Sequence, residues 1–592
     1  MPKEQMPKEQ MPKEQMPKRF VRYAVFGFGA VLFVVFAMWQ TILDKAAATF
    51  FLPTQMTRPA QYSVRTQRTA EMQTSDGTVL RADVHRPIGL EKTPTILIRI
   101  PFTDTLWNRV QSDSIARFWA ARGYTVVVQG TRGRYRSGGT FYPLMHERAD
   151  GIETLRWLVQ QPWYDGRLAM WGGSAFGQTQ WAISDQRNPG VPGVNVFFVQ
   201  IASSRFQDVF HPGGAFALES ALFWALQSHG DHDRDVDIEV LDRAANGLPV
   251  IEADNRAGTN IPFFDDWVRE GPGSAYWDPI DGKDRAKNAA APMLLLGGWY
   301  DPFLSSMLRD FDVLTSSPAS ADSRLIIGPY GHAREIDWPG APDKILYRRS
   351  SVEPTIAWFD RQLGVGDAAR PMPRVRIFVL GANVWRDEAE WPLARTRFTP
   401  FYLQTDGALE PDGPSTPDAA DRFRYDPLSP VPTRGGAMLG PRAGVVLQEP
   451  PSARGDVLSY ISPPLQGPME VTGPIKATLW VATDAPSTDF TAKLSFVTRE
   501  GASYNLADGI LRRNYVPGER TEIEIDLGAT SVALAEGMRI RLDISSSNHP
   551  RFDRNPNTGE NVATATRTTV ANQTILRSVD SPSRILLPVI PN

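Results

Sequence analysis

The chain has 592 residues, 42% of them hydrophobic and 22% charged, so it is long enough for several packed domains and too apolar to be disordered throughout. With 63 Lys and Arg against 66 Asp and Glu, the formal charge of −3 gives no electrostatic reason for a nucleic-acid partner. The absence of cysteine excludes a cysteine nucleophile, a thiolate metal site and any disulfide, and leaves the compartment open.

The first 15 residues are three copies of Met-Pro-Lys-Glu-Gln, and a fourth begins at Met16. The charges of the repeat cancel, and it reads as a small expansion ahead of a start at Met16. Residues 1–22 end in Lys18, Arg19 and Arg22, and the run 23–43 that follows contains no charged residue. About twenty apolar residues cross a bilayer as a helix. The preceding cations hold the N-terminus in the cytoplasm, so everything after Asp44 is expected to be exported. The run is longer than a usual signal-peptide core and favours an uncleaved anchor, while Ala46-Ala47-Ala48 offers a cleavage site that would make the protein secreted. Membrane attachment through this helix, with a periplasmic or extracellular catalytic part, is the expectation. Residues 44–62 read as a tether.

From residue 63 strands and helices alternate. Residues 95–100 and 124–129 are short, β-branched and apolar, which predicts buried strands. Helical spacing covers 113–121 between them and 149–160 after them. Residues 168–171, 195–201, 293–296 and 324–327 are further predicted strands. This alternation predicts a parallel sheet covered by helices, formed by residues 63–205 and 290–368. Residues 206–289, rich in aromatics, Asp and Gly and containing a helical stretch at 215–227, interrupt the rhythm as an inserted helical cap. From 369 to 592 short alternating runs (375–380, 399–404, 477–482, 521–527) between Pro and Gly predict an all-β sandwich.

Three short segments carry the chemistry: Gly172-Gly173-Ser174-Ala175-Phe176-Gly177, Gly298-Trp299-Tyr300-Asp301, and Gly328-Pro329-Tyr330-Gly331-His332. Each follows a predicted strand, and serine, aspartate, histidine is the chain order of an α/β-hydrolase triad. A serine hydroxyl needs a base to take its proton and a third group to orient that base. Ser174 is thus the candidate nucleophile, His332 the base and Asp301 the orienting carboxylate. The amide of Ala175, at the start of the following helix, faces a developing negative charge.

These residues resemble the CocE/NonD family of serine hydrolases, the cocaine esterase/glutaryl-7-aminocephalosporanic acid acylase group, allied to the X-Pro dipeptidyl-peptidases and the α-amino acid ester hydrolases. The resemblance runs from about residue 70 to the C-terminus. It includes Thr131-Arg132-Gly133 with Ser137-Gly138-Gly139, Asp165-Gly166-Arg167, Val375-Arg376-Ile377-Phe378-Val379 and Trp385-Arg386-Asp387-Glu388, beside the three segments above. It implies an α/β-hydrolase core, a helical cap and a C-terminal jelly roll of galactose-binding type. It also implies Ser174, Asp301 and His332 as the triad, and a small ester, amide or peptide substrate cleaved through an acyl-enzyme. Trp224 matches an aromatic of the acyl pocket, and Trp299 is a second candidate for lining it. No cofactor and no metal are implied.

One departure concerns the oxyanion hole. The family places a tyrosine after the proline that follows the second core strand segment, and its hydroxyl joins the amide after the serine. Here the sequence is Ile100-Pro101-Phe102, which keeps the ring and loses the donor. Removing one oxyanion donor costs about 10²–10³ in turnover. Gly130 replaces the aspartate usual before Thr-Arg-Gly. Phe102 also supports an alternative function: a degenerate hydrolase acting as a cell-surface ligand-binding protein. His229-Gly230-Asp231-His232-Asp233 reads as a solvated acidic loop before a metal site, and Asp208 and Glu219 as structural carboxylates of the cap before an ammonium site.

Overall fold

The computed structural model describes residues 58–591, except 188–189, 231–234, 342–346 and 367–370. The expected membrane segment at 23–43, the repeat and most of the tether lie outside the described residues. Among those described, no helix is long and apolar enough to cross a membrane.

The core is a ten-stranded sheet. Its strands are β1 (Val64–Gln73), β2 (Val79–Pro87), β3 (Thr93–Ile100), β4 (Thr125–Gly130), β5 (Tyr164–Gly173), β6 (Val196–Gln200), β7 (Met293–Gly298), β8 (Arg324–Gly328), β9 (Val375–Val379) and β10 (Val384–Glu388). They run in the order β1-β2-β4-β3-β5-β6-β7-β8-β9-β10. The seven strands from β4 to β9 in that order are parallel, and the flanking pairs are antiparallel. Every residue of β3, β4, β6 and β7 is buried, as a sheet covered on both faces requires.

Helices α1 (Leu106–Ala120), α2 (Glu147–Leu158) and α3 (Ala175–Trp181) follow β3, β4 and β5. Between β6 and β7 lie α4 (Phe206–Phe210), α5 (Leu218–Ser228), α6 (Ile238–Ala245), α7 (Ala253–Arg256), α8 (Pro262–Arg269) and α9 (Lys283–Lys287); α10 (Leu304–Thr315) and α11 (Tyr347–Leu363) complete the set. Helices α1 and α11 cover one face of the sheet, and α2, α3 and α10 the other. The insertion has an apolar core of its own built on Phe206, Phe210, Phe264 and Trp267. Helix α1 begins well before the predicted 113 because the hydroxyl of Thr105 accepts the Asn108 amide at 3.1 Å and caps it.

The C-terminal part consists of β11 (Arg397–Leu403), β12 (Leu409–Glu410), β13 (Ala420–Tyr425), β14 (Leu458–Ile461), β15 (Met469–Thr483), β16 (Ser487–Val497), β17 (Ser503–Asn514), β18 (Thr521–Leu534), β19 (Arg539–Ser545), β20 (Ala571–Ser578), β21 (Ser581–Pro582) and β22 (Arg584–Ile590). One sheet runs β12-β11-β22-β15-β20-β13, with β18 joined to β15; the other runs β14-β19-β16-β17. The stretch expected to form the sandwich from 369 begins with two strands that pair with the core sheet. Residues 375–388 are β9 and β10 of the core sheet: β9 extends it in parallel from β8, and β10 folds back on β9. Short alternating apolar runs do not reveal which sheet a strand will join. One continuous apolar cluster, from Leu155 and Met307 to Leu479 and Ile585, joins the hydrolase core to the sandwich.

Candidate active site

Three local structures bring the triad together. Ser174 sits between β5 and α3 with φ 56° and ψ −128°, a strained backbone for a residue with a Cβ. The glycines around it are steric requirements. A Cβ on Gly172 would lie 2.4 Å from Cβ of Phe176, and one on Gly177 would lie 2.6 Å from Cβ of Ala202. The turn is pinned by the Ser174 amide donating to the Gln200 carbonyl at 2.9 Å.

Asp301 and His332 come from loops that brace each other. The Tyr330 carbonyl accepts the Tyr300 amide at 2.9 Å. A Cβ on Gly298 would sit 2.3 Å from that same oxygen, so only glycine lets the two loops meet. Asp301 Oδ1 accepts the Phe303 amide at 2.8 Å, and Oδ2 lies 2.7 Å from His332 Nδ1. On the other side of the ring Nε2 lies 2.9 Å from Ser174 Oγ. The Asp301 carboxylate is fully buried, so its charge is directed at the imidazole and not dissipated in water. The Phe303 ring lies 5.6 Å from that of His332.

The triad opens into a cavity of about 710 Å³. Ala175 and Phe102 both line it beside Ser174. The Ala175 amide is the first of α3 and has no partner within the helix. Trp224 lines the cavity from the cap, stacked on Trp267 at 5.1 Å. Trp299 does not, which corrects the expectation that it forms the pocket. Its indole is buried, donates to the Phe378 carbonyl at 2.7 Å and packs on Trp391. Asp208 and Glu219 are likewise absent from the cavity wall. Asp208 faces a separate, smaller space, and Glu219 is fully buried against Arg442 at 2.8 Å. Burial pushes the Glu219 carboxyl up, and the Arg442 guanidinium holds it down in part.

Several wall residues gave no sequence signal. Residues 438–441, from the loop before β14, close the cavity from the sandwich side. Arg334, two residues after His332, also lines it and donates to the Ala443 carbonyl at 2.5 Å; burial lowers its pKa. Asp235 is the one carboxylate among the described lining residues. Arg134, from the loop after β4, donates to the Gly230 carbonyl at 2.6 Å and to that of Ser228, and so ties the C-terminal end of α5 to the core. The same loop accounts for Gly130: a Cβ there would lie 2.3 Å from the Arg134 carbonyl oxygen, which leaves no room for the aspartate usual in the family.

The acidic loop proposed against a metal site falls partly outside the described residues; His229 Nδ1 lies 3.0 Å from the Leu226 carbonyl. Among the described residues no cluster of His, Asp and Glu could hold a metal ion.

Residues 76–334 match the X-Pro dipeptidyl-peptidase (S15 family) model, and 368–586 match the model of the X-Pro dipeptidyl-peptidase C-terminal non-catalytic domain. The cocaine esterase of Rhodococcus sp. (strain MB1 Bresler) is 35% identical over 564 residues, covering 87% of this chain and 97% of the relative. Among solved structures, an aminopeptidase from the marine sediment archaeon Thaumarchaeota archaeon superposes with a TM-score of 0.74 at 24% identity, covering 91% of this chain and 99% of that one. A CocE/NonD family hydrolase from Staphylococcus aureus does so at 0.63 and 15% identity, covering 91% and 100%. These two likenesses establish the fold. The family models and the identity to the esterase show that the chain belongs to the CocE/NonD family of serine hydrolases, acting on esters or amides.

Proposed function

We propose that the protein is an esterase working through an acyl-enzyme on Ser174. The observation that carries this reading is the unbroken chain Asp301 Oδ2, His332, Ser174 Oγ, with both hydrogen-bond distances under 3 Å. Ser174 Oγ attacks the ester carbonyl while His332 Nε2 takes its proton. The Nδ1–H donates to Asp301, which fixes the tautomer and stabilises the imidazolium. Negative charge on the carbonyl oxygen is met by the Ala175 amide. The same Nε2–H then protonates the departing alcohol, and water, deprotonated by His332, releases the acid.

The name of the cocaine esterase relative favours an ester over a peptide. The rival reading, a binding protein that has retired its chemistry, draws on Phe102 alone. The intact triad geometry argues against it.

Hydrolysis of nitrophenyl butyrate by the purified chain, beside Ser174→Ala, tests the reading. Turnover in the parent should exceed that of the variant by at least about 10³, the scale of triad loss. Equal rates would refute it.

A further inference from the structure

The cavity around Ser174 has two unlike ends. Toward the cap it is walled by rings, those of Phe206, Phe210, Phe223, Trp224 and Phe303. Away from the cap it descends along the face of the core sheet that α1 and α11 cover, where Ile98, Ile100, Ile115, Val128 and Trp171 form the wall.

Those five belong to the buried core between the sheet and its helices. Alternation along β3 puts Ile98 and Ile100 on the same face. Ile98 lies about 7 Å below the C-terminal end of the strand, two residues down. It stands opposite Val128 in β4, and the register of Leu97 with Met170 sets it one step along beside Trp171 in β5. Three neighbouring strands thus contribute one apolar row to the cavity. Protein interiors leave few voids larger than a water molecule, so a core row that borders open space marks a built slot.

Two rings stand at the mouth of the slot, and Asn108, Gln111, Ser112 and Ser351 add polar groups to the cavity wall. Phe102 packs against Phe176 with ring centroids 5.3 Å apart, and both line the cavity beside Ser174. Of the polar groups that border it, the Tyr347 hydroxyl is already committed to Gln200 Oε1 at 2.9 Å.

We propose that this slot holds a flexible aliphatic chain of the substrate, while the ring-lined end takes a bulkier group. The preferred substrates are then esters with an alkyl chain of about four to eight carbons on one side of the scissile bond. This rests on the esterase reading above.

Two series separate the acyl from the alcohol side: nitrophenyl alkanoates from acetate to octanoate, and alkyl benzoates from methyl to hexyl. In one of them kcat/KM should rise about fourfold per methylene, the factor that corresponds to about 0.8 kcal/mol per buried CH₂, and then level off. Ile98→Phe, which fills the floor of the slot, should shift that plateau to shorter chains. Ile115→Phe narrows it from the helix side and serves if the first variant melts early. Flat profiles in both series, or variant profiles that superimpose on the parent, would overturn the proposal.

A binding arm covers failure of the esterase reading itself. If turnover does not depend on Ser174, calorimetric titration of the Ser174→Ala protein decides the slot alone. Hexanamide should bind at least tenfold more tightly than acetamide, and adding Ile98→Phe should remove that difference. Equal binding of the two amides would refute the slot.

Discussion

The family resemblance implies that Phe102 stands where a hydroxyl would complete the oxyanion site, and its ring borders the cavity beside Ser174 and Ala175. On that reading a single amide donor, that of Ala175, carries most of the developing charge. Phe102→Tyr should raise kcat for nitrophenyl butyrate at least about tenfold, part of the 10²–10³ that one donor is worth. An unchanged kcat would show that another group already donates there. The three chemistry-bearing positions were legible in the sequence because each depends on glycines that no other residue can replace. Gly172, Gly177 and Gly298 leave a fixed spacing, whatever the surrounding sequence does. Trp299 was not legible in the same way. It lies two residues before Asp301, yet its indole turns toward Phe378 and Trp391 and away from the cavity. Proximity in sequence to a functional residue says nothing about which way a side chain points.

At the scale of elements, the loop before β14 reaches across to the cap. Arg442 pairs with Glu219 at the start of α5 and with Asp242 on α6. The Leu439 amide donates to the Ser220 hydroxyl at 3.0 Å. These contacts hold residues 438–441 against the cavity, and they join a helix to a loop more than 200 residues later. Arg442→Met leaves the Glu219 carboxyl buried without its cation, a change that costs about 3–5 kcal/mol. Urea denaturation should show this loss, and adding Glu219→Gln should restore much of it. If Arg442→Met lies within about 0.5 kcal/mol of the parent, the pair does not hold the loop. Buried strands such as β3, β4 and β7 were readable from composition, because a sheet covered on both faces demands unbroken apolar runs. The wall at 438–441 had no comparable signature. Its residues are specified by what they meet in space, and a segment without period or motif carries no record of that.

On the scale of the whole molecule, cap, hydrolase core and sandwich meet around His211. Its ring lies 5.3 Å from Phe216 and 5.7 Å from Trp277, and it borders a smaller space shared with Tyr300, Asp301, Asp508 and Arg551. Burial pushes its pKa down to about 4, so the folded protein keeps it neutral where the unfolded chain, at about 6.5, would protonate it. Its contribution is therefore complete above pH 6.5 and is lost as pH falls from there toward 4. His211→Phe removes this dependence. Between pH 7.5 and pH 5 the stability of the variant relative to the parent should improve by about 2 kcal/mol in urea denaturation. Carboxyls raised by burial, such as Asp310 at about 6, act in the opposite sense but equally in both proteins, and so cancel. A constant difference across that range would mean that the ring takes up its proton in the folded state as readily as in the unfolded one.

The last described strand, β22, lies inside the larger sheet of the sandwich, between β11 and β15. Ile585 and Leu587 are fully buried in the cluster that also contains Met307 and Leu295 of the hydrolase core. During synthesis the residues that carry Ser174, Asp301 and His332 emerge hundreds of residues before that strand. Until β22 has left the ribosome the larger sheet lacks the strand that joins β11 to β15. A nascent chain therefore carries all three reactive side chains before the apolar cluster that joins the hydrolase core to the sandwich is complete.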